Sequence, residues 1–448
     1  MIRSVRARFV TALVLGALWL SAVVAPASAA VTTLWVDNDS HAGDGPAQCD
    51  TAKFHTIQAA INASSSFNKV YVCPGNYVEQ VTIDVRGLEV RSVPALGARI
   101  YPPDAPVEVD GTTDLVRITA RDVQLVGFWM KIPAGDIAPR ILPSTCLPLD
   151  AAVLATAPHA TIKANHIKAV GDNSLSGECG YLYGIVIDDG SSGGLGQSLV
   201  WRNWIRDFKL GGILVGPDSW SRIYRNAIRY VHLNDPATCV LVPVLGVQPE
   251  LTFPCSLDLD FKPTQLNGLF SESVGILVEG GRGDLRGNSI YSTLDVLFLG
   301  SLDSASLGAG IVMIDVVDGS KLKNNRINNV GFGVIIAEEG IILPPAILAA
   351  PDGVQVSGNR VNESFIGFLV LASDGVYYGN RAHLNFLGLL AGDGSGNVFE
   401  ANDFRYNEEG DCIDATTGAG TLGTANDWEA INWGFENSPE GLCFGGIF

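Results

Sequence analysis

The sequence predicts an all-β chain wound as a right-handed parallel β-helix, a solenoid of stacked coils, and three observations carry that expectation. A segment of the form apolar-x-x-Asn-x-apolar recurs eight times. Its last copies, centred on Asn359, Asn380 and Asn402, lie 21 and 22 residues apart, a period that holds three short strands but is too short for a strand-helix horseshoe unit or a propeller blade. Helical periodicity is nearly absent, whereas short Val, Ile and Leu runs sit between Gly, Asn and Asp turn signals.

Each part of the repeat has a physical role. The asparagines are Asn165, Asn203, Asn226, Asn288, Asn325, Asn359, Asn380 and Asn402. Asparagine tolerates the left-handed backbone that a sharp bend requires, and its amide can bond the asparagines of the coils above and below. Further on, a glycine opens a strand-like run, as at Gly333, Gly367, Gly388 and Gly410. An acid-glycine pair then closes the unit, as in Asp189-Gly190, Glu279-Gly280, Asp374-Gly375 and Asp393-Gly394. Stacking buries one aliphatic residue per strand against its counterpart in the next coil, a core no single repeat could form.

Residues 1–29 are expected to be a cleaved secretory signal. Arg3, Arg6 and Arg8 precede an apolar run at 9–24, and Ala27-Ser28-Ala29 is a small-residue cleavage box. A membrane anchor is the competing reading, but the run is short for a span. The remainder, 30–448, is expected to be one β-helix domain with an N-terminal cap at 30–69, coils at 70–411 and a disulfide-braced C-terminal cap at 412–448. Removing the three arginines leaves 26 basic against 47 acidic residues, a formal charge of −21, which disfavours nucleic acid and anionic lipid as partners. With 47% hydrophobic and 17% charged residues, the chain is no disordered acidic tail.

The eight cysteines are an even number in a chain expected to be exported, which favours disulfides over metal sites. Sequence alone leaves every connectivity open. Because a solenoid confines contacts to neighbouring coils, the expected pairs are Cys49–Cys73, Cys146–Cys179, Cys239–Cys255 and Cys412–Cys443.

His55-Thr-Ile-Gln-Ala-Ala-Ile-Asn-Ala63 reads as one short amphipathic helix capping the open end of the solenoid. Val70-Tyr-Val-Cys-Pro-Gly-Asn-Tyr-Val-Glu-Gln-Val-Thr-Ile83 then starts the first coil. That segment resembles the opening of pectin-lyase-like right-handed β-helix proteins, and the Asn/Gly units resemble those of parallel β-helix repeat proteins. The resemblance covers most of the mature chain. It implies the fold and, by analogy, a polysaccharide or cell-surface glycan as partner. Insertions rich in Pro and apolar residues at 131–152, 234–273 and 340–353, with a shorter one at 292–309, are expected to form loops along one flank.

The resemblance also implies that a site would lie on the glycine-opened strand and its flanks. Acids there are Asp188, Asp189, Asp218, Glu279, Asp315, Glu338, Glu339, Asp374, Asp393 and Asp414. Stacked as a ridge they would offer oxygens to calcium, or an acid and a base for glycoside cleavage. The competing reading is turn chemistry, since Asp side chains bond backbone amides and Gly supplies positive φ. Asp188 and Asp189, a double acid, are the catalytic candidates.

No complete catalytic motif accompanies them. Gly75-Asn-Tyr-Val-Glu79 resembles a box of pectin methylesterases whose later motifs are missing, and Ala157-Pro-His-Ala160 lacks both acids of the mannuronan epimerase motif. Trp201, Arg202, Arg206, Trp220, Arg222 and Arg225, alternating with Trp204, Lys209 and Tyr224, are the substrate-binding candidates. Sugars stack on aromatic faces while cations hold uronate carboxylates, although Trp and Arg also simply cover coil surfaces.

If Ile185, Ile213 and Ile276 are core, then Val186, Leu214 and Leu277 point outward in a row continued by Ile335, Leu369 and Leu390. So large an apolar stripe calls for cover by an insertion or by a second copy of the chain. Two functions therefore remain. One is binding or modification of an extracellular, acidic polysaccharide; the other is a non-catalytic surface or matrix protein in which the coils form a rigid rod.

Overall fold

The computed structural model describes residues 31–38, 45–103, 105–131, 149–168, 181–191, 196–208, 210–230, 274–292, 308–338, 353–429 and 431–444. The expected signal, Cys146, Cys179, Cys239, Cys255, Lys209, Glu339 and most of each insertion lie outside the described residues. Among the described residues no helix is long and apolar enough to cross a membrane.

One coil shows the plan. Gln355–Ser357 belongs to sheet 1, the chain bends at Asn359 into Arg360–Asn362 of sheet 2, then runs into Ile366–Leu371 of sheet 3. The Asp374-Gly375 turn returns it to sheet 1 as Val376–Tyr378, one coil on and parallel to Gln355–Ser357. Repetition builds sheets of 13, 10 and 12 strands, with each strand hydrogen-bonded to its equivalent in the next coil. These three all-parallel sheets make a parallel β-helix. Its core is a set of in-register rows, such as Ile205, Ile228, Ile290 and Ile327 inside sheet 2 and Ile185, Ile213, Ile276 and Ile311 inside sheet 3. Burying each such side chain contributes about 1.5–3 kcal/mol.

The asparagine ladder joins sheets 1 and 2. All eight expected asparagines are at most 1% exposed, and a ninth, Asn432, extends the row. Asn203 is typical. Its backbone N–H and its Nδ2 both donate to Asn226 Oδ1, at 2.9 and 3.1 Å, and Nδ2 also donates to the Ile162 carbonyl at 2.9 Å. One expectation is corrected here. The asparagines do not adopt the left-handed backbone; the residue before each one does, including Ala164 (φ 54°), Arg202 (54°), Arg225 (52°), Asn324 (53°) and Ala401 (53°). The asparagine side chain serves the ladder, and the preceding residue takes the bend.

At Gly275, Gly310, Gly333, Gly367 and Gly388 the glycine occupies the second position of its sheet 3 strand for a steric reason, not a conformational one, whereas Gly410 opens its strand in register with Leu387. A methyl group at Gly275 would lie 2.5 Å from the Gly310 carbonyl oxygen, and one at Gly310 would lie 2.6 Å from that of Gly333. The glycines stack backbone on backbone, and no side chain fits between them.

At the N-terminal end the helix is shorter than expected, Ile57–Asn62, with Thr56 Oγ1 accepting the Ala59 N–H at 3.2 Å. Glu79 of the Gly-x-Tyr-x-Glu box accepts the Ile57 and Gln58 N–H groups at 2.8 and 3.0 Å, and Tyr77 is buried with its hydroxyl on the Cys73 carbonyl. The box thus fastens the helix to the first coil. Cys49–Cys73 and Cys412–Cys443 are disulfides, so no described cysteine is free. Cys146–Cys179 and Cys239–Cys255 lie outside the described residues.

The outer face of sheet 3 carries the expected apolar row. Its apolar row forms a second cluster distinct from the core, but it is not an open wall: Val312 is 0%, Ile335 3%, Leu369 6% and Leu390 7% exposed in the single chain. It is half-buried at Val186 and Leu214 and again at Ile413, which follows Leu390 in the row.

Candidate functional site

Asp189, Glu338, Asp393 and Asp414 of the sheet 3 edge accept backbone N–H groups. Asp189 is buried; its carboxylate accepts the Ser191 N–H at 3.1 Å and the Ser198 hydroxyl at 2.5 Å, while its own N–H donates to Ser219 Oγ at 2.9 Å. Asp188 is exposed, and partial desolvation followed by the Asp189 charge raises its pKa. Glu338 accepts the Ser373 N–H at 2.6 Å, Asp393 the Gly394 N–H at 2.7 Å, and Asp414 the Trp428 indole N–H at 2.9 Å. Asp374 carries the turn itself at φ 54°. The acids form no continuous ridge either, since Glu279 is registered with Ile314 in the next coil. Among the described residues no three His, Cys, Asp or Glu side chains converge.

The Trp and Arg candidates are divided between faces. Trp201, Trp220 and Arg222 lie on sheet 1, Arg206 lies on sheet 2, and Arg202 and Arg225 hold the left-handed corner between the two sheets. The sheet 1 aromatics already carry cations of their own chain: Lys163 and Arg202 lie 4.3 and 4.6 Å from the Trp201 ring, and Arg282 lies 4.5 Å from Trp220. Tyr224 donates to Asp284 at 2.8 Å, and Asp284 also takes both arms of Arg286. The Asp188-Asp189 corner and the Arg202 corner stand at opposite ends of the Ser198–Trp201 strand, roughly 13 Å apart at the rise of an extended chain. Of the expected binding groups, Trp220 adjoins the Asp189 corner, its backbone N–H donating to Ser191 Oγ at 2.8 Å, whereas Arg202 and Arg225 stand a strand length away.

Sheet 2 brings together a different set. Trp129, His166 and Trp204 are in register on three successive coils, facing outward. Their rings stack at 4.7 and 4.3 Å with interplanar angles of 23° and 14°. Arg99 covers Trp129 at 5.3 Å, and Arg206 approaches Trp204 at 5.1 Å. Trp204 is 42% exposed, which leaves an indole face at the surface.

Beside this stack runs a second in-register column, Lys131, Lys168, Arg206 and Arg229. Asp207 is 4.0 Å from both Lys168 and Arg206. Burial, then Arg206 and Lys168, push the His166 pKa down to about 4, so the imidazole is neutral at pH 7 and stacks without adding charge. Trp129 Nε1, His166 Nε2, Arg206 Nε and Arg229 Nε are buried donors or acceptors with no hydrogen-bond partner among the described residues.

Sequence reasoning missed Trp129, Lys131, His166 and Lys168, yet the signal was present in the repeat. The residue after each ladder asparagine, and the one two further on, point outward from sheet 2, which reads His166/Lys168, Trp204/Arg206 and Ala227/Arg229. Phe128 holds the ladder position in the preceding coil, its N–H donating to Asn165 Oδ1 at 2.9 Å, and there Trp129 and Lys131 take the outward places.

No known family description matches the sequence, and no curated protein does. Among solved structures, the Dettilon tailspike protein shares 15% identity over 88% of this chain with a TM-score of 0.43. The A-module of a mannuronan C-5 epimerase from Azotobacter vinelandii shares 13% over 85% of this chain and 88% of its own, with a TM-score of 0.41. A pectate lyase shares 11% over 79% of this chain and 78% of its own, also at 0.41. The chain spans 65% of the Dettilon tailspike and 45% of a second tailspike domain, from bacteriophage CBA120. The chain is a parallel β-helix repeat protein. That statement rests on its own three sheets and its asparagine ladder.

Proposed function

We propose that this chain is an exported glycan-binding β-helix whose contact surface is the outer face of sheet 2. The observation that carries the reading is the Trp129–His166–Trp204 stack with Lys168, Arg206 and Arg229 alongside it. An exposed indole gives a sugar ring a flat apolar face, and the neighbouring cations take its carboxylates, two roles that acidic saccharides require together. The net negative charge of the whole chain makes this local positive surface selective, since it repels polyanions everywhere else.

Catalysis is not part of the proposal, because the Asp189 carboxylate is committed to Ser191 and Ser198. A rigid, non-catalytic surface or matrix protein is the second reading, favoured by the closed apolar face of sheet 3, where a groove would otherwise be sought. Calorimetry of the mature chain against neutral and acidic polysaccharides separates the two. Glycan binding predicts that an acidic polymer binds, that Trp204→Ala weakens it at least about fivefold, and that a chelator leaves it unchanged. Absence of binding across the panel would leave the rod.

A further inference from the structure

The ten strands of sheet 2 contain eight Lys or Arg residues and no Asp or Glu, in a chain where acids outnumber bases 47 to 29. Beyond the aromatic stack the same outward column continues through Ala227 and Ser289 to Arg326, Arg360 and Arg381, which follow one another on adjacent coils. All three are exposed, and neither Arg326 nor Arg360 has an ion pair among the described residues. Like charges directly opposite one another on neighbouring strands repel, so a fold arranged only for stability would interleave acids. Sheet 1 does so: Glu89 pairs with Arg91 at 2.5 Å and with Lys69 at 3.6 Å, and Asp284 pairs with Arg286 at 2.6 Å. In sheet 2, Asp207 lies 4.0 Å from Lys168 and from Arg206, and among the described residues no acid pairs with Arg326 or Arg360 before Asp403, which meets His383 and Arg405 at 2.9 and 2.8 Å.

We infer that sheet 2 is one continuous track for a single linear polyanionic glycan, a chain bearing a carboxylate or sulfate on each unit, laid along the solenoid axis from Arg99 to Arg381. The inference rests on the glycan-binding reading and extends it to the C-terminal coils. Adjacent coils are about 4.8 Å apart, so the eight steps of the column span roughly 38 Å. One coil advances close to the length of one sugar unit in an extended chain, so successive anions meet successive coils. The track is at most two residue columns wide, with Lys131, Lys168, Arg206 and Arg229 in one column and one cation per coil at Arg326, Arg360 and Arg381 in the other. That shape suits a thin strand with evenly spaced charges. A nucleic acid duplex, with its denser charge on a wide cylinder, would press against the acidic remainder of the chain, and an anionic membrane needs a broad basic surface rather than a stripe.

The test uses the mature chain, uronate oligomers of graded length and their carboxyl-reduced counterparts. Affinity for the uronate series is expected to rise with length until the oligomer covers the track, about eight units, and carboxyl reduction is expected to abolish that rise. Arg326→Gln and Arg360→Gln should each weaken long oligomers about two- to fivefold and leave tetramers, held at Trp204, unaffected. Circular dichroism and urea midpoints of both variants should match the parent, since the side chains are exposed. Length-independent binding, or long oligomers indifferent to both arginines, overturns the track while Trp204-dependent tetramer binding keeps the broader reading. Loss of all glycan binding overturns both. Duplex DNA or phosphatidylserine vesicles binding through Arg326 and Arg360 in place of uronate would also overturn it.

Discussion

Truncating one rung of the asparagine ladder is the most direct test of how the coils are held together. In Asn359→Ala the Asn325 N–H and one Asn325 amide hydrogen lose their acceptor, each at 3.0 Å, and the Leu322 carbonyl loses a donor at 2.9 Å. Asn380 Oδ1 keeps the Asn359 backbone N–H at 3.1 Å and is not stranded. Asn325 and Asn359 are both 0% exposed, so water does not replace these bonds without opening the corner. At about 1–3 kcal/mol for each buried donor left unpaired, with a smaller contribution from the carbonyl, the loss comes to about 3–5 kcal/mol. Equilibrium urea unfolding followed by circular dichroism measures it, and hydrogen exchange at the Asn325 amide should lose protection. Asn328→Ala is the control: it is half-buried and accepts one bond, from Asn362 at 3.1 Å, so it should cost less than about 1 kcal/mol. If Asn359→Ala costs no more than this control, the ladder is not a stabilising element and the reasoning fails.

Three further outcomes are expected. Replacing Cys412 and Cys443 by serine opens a loop of sequence separation 31 and should lower stability by about 3–4 kcal/mol in the chain-entropy treatment; an unchanged urea midpoint would contradict the bracing role. His166 has a folded pKa of about 4, below its unfolded value, so the unfolded chain binds the extra proton and stability should fall as pH drops from about 6.5 through 4. His166→Gln should flatten that window in urea midpoints taken across pH, and an identical pH profile would show that His166 does not contribute to it. Gly310→Ala places a methyl 2.6 Å from the Gly333 carbonyl oxygen and should destabilise by about 1–3 kcal/mol, whereas a neutral result would mean the glycine column is not tightly stacked.

Much of this is legible in the amino-acid sequence. The period, the eight asparagines, the acid-glycine turns and the neighbour pairings Cys49–Cys73 and Cys412–Cys443 are local or nearest-coil features, and in a solenoid almost every contact is of that kind. The ladder was visible because each rung repeats one residue type at one angular position. The bend assignment missed by one residue because both the asparagine and the residue before it sit at the corner, and composition does not say which one turns. Ala164, Arg202 and Ala401 at positive φ have no propensity that would announce it.

The candidate site was another matter. Arg202, Arg206, Arg222 and Arg225 are close in sequence, and clustering them by proximity put three surfaces into one. A period of two along a strand and a corner between strands send neighbouring residues to different faces, so sequence distance misleads there. Trp129, His166 and Trp204 are 37 and 38 residues apart, separated by segments of unequal length, and become a stack only when the coils register. The amino-acid sequence by itself determined the solenoid and its rungs, because those depend on what each coil repeats. The tertiary structure alone decided that one face is cationic, one apolar and closed, and one balanced, because a face is defined by the register between coils, which unequal insertions hide from the linear chain.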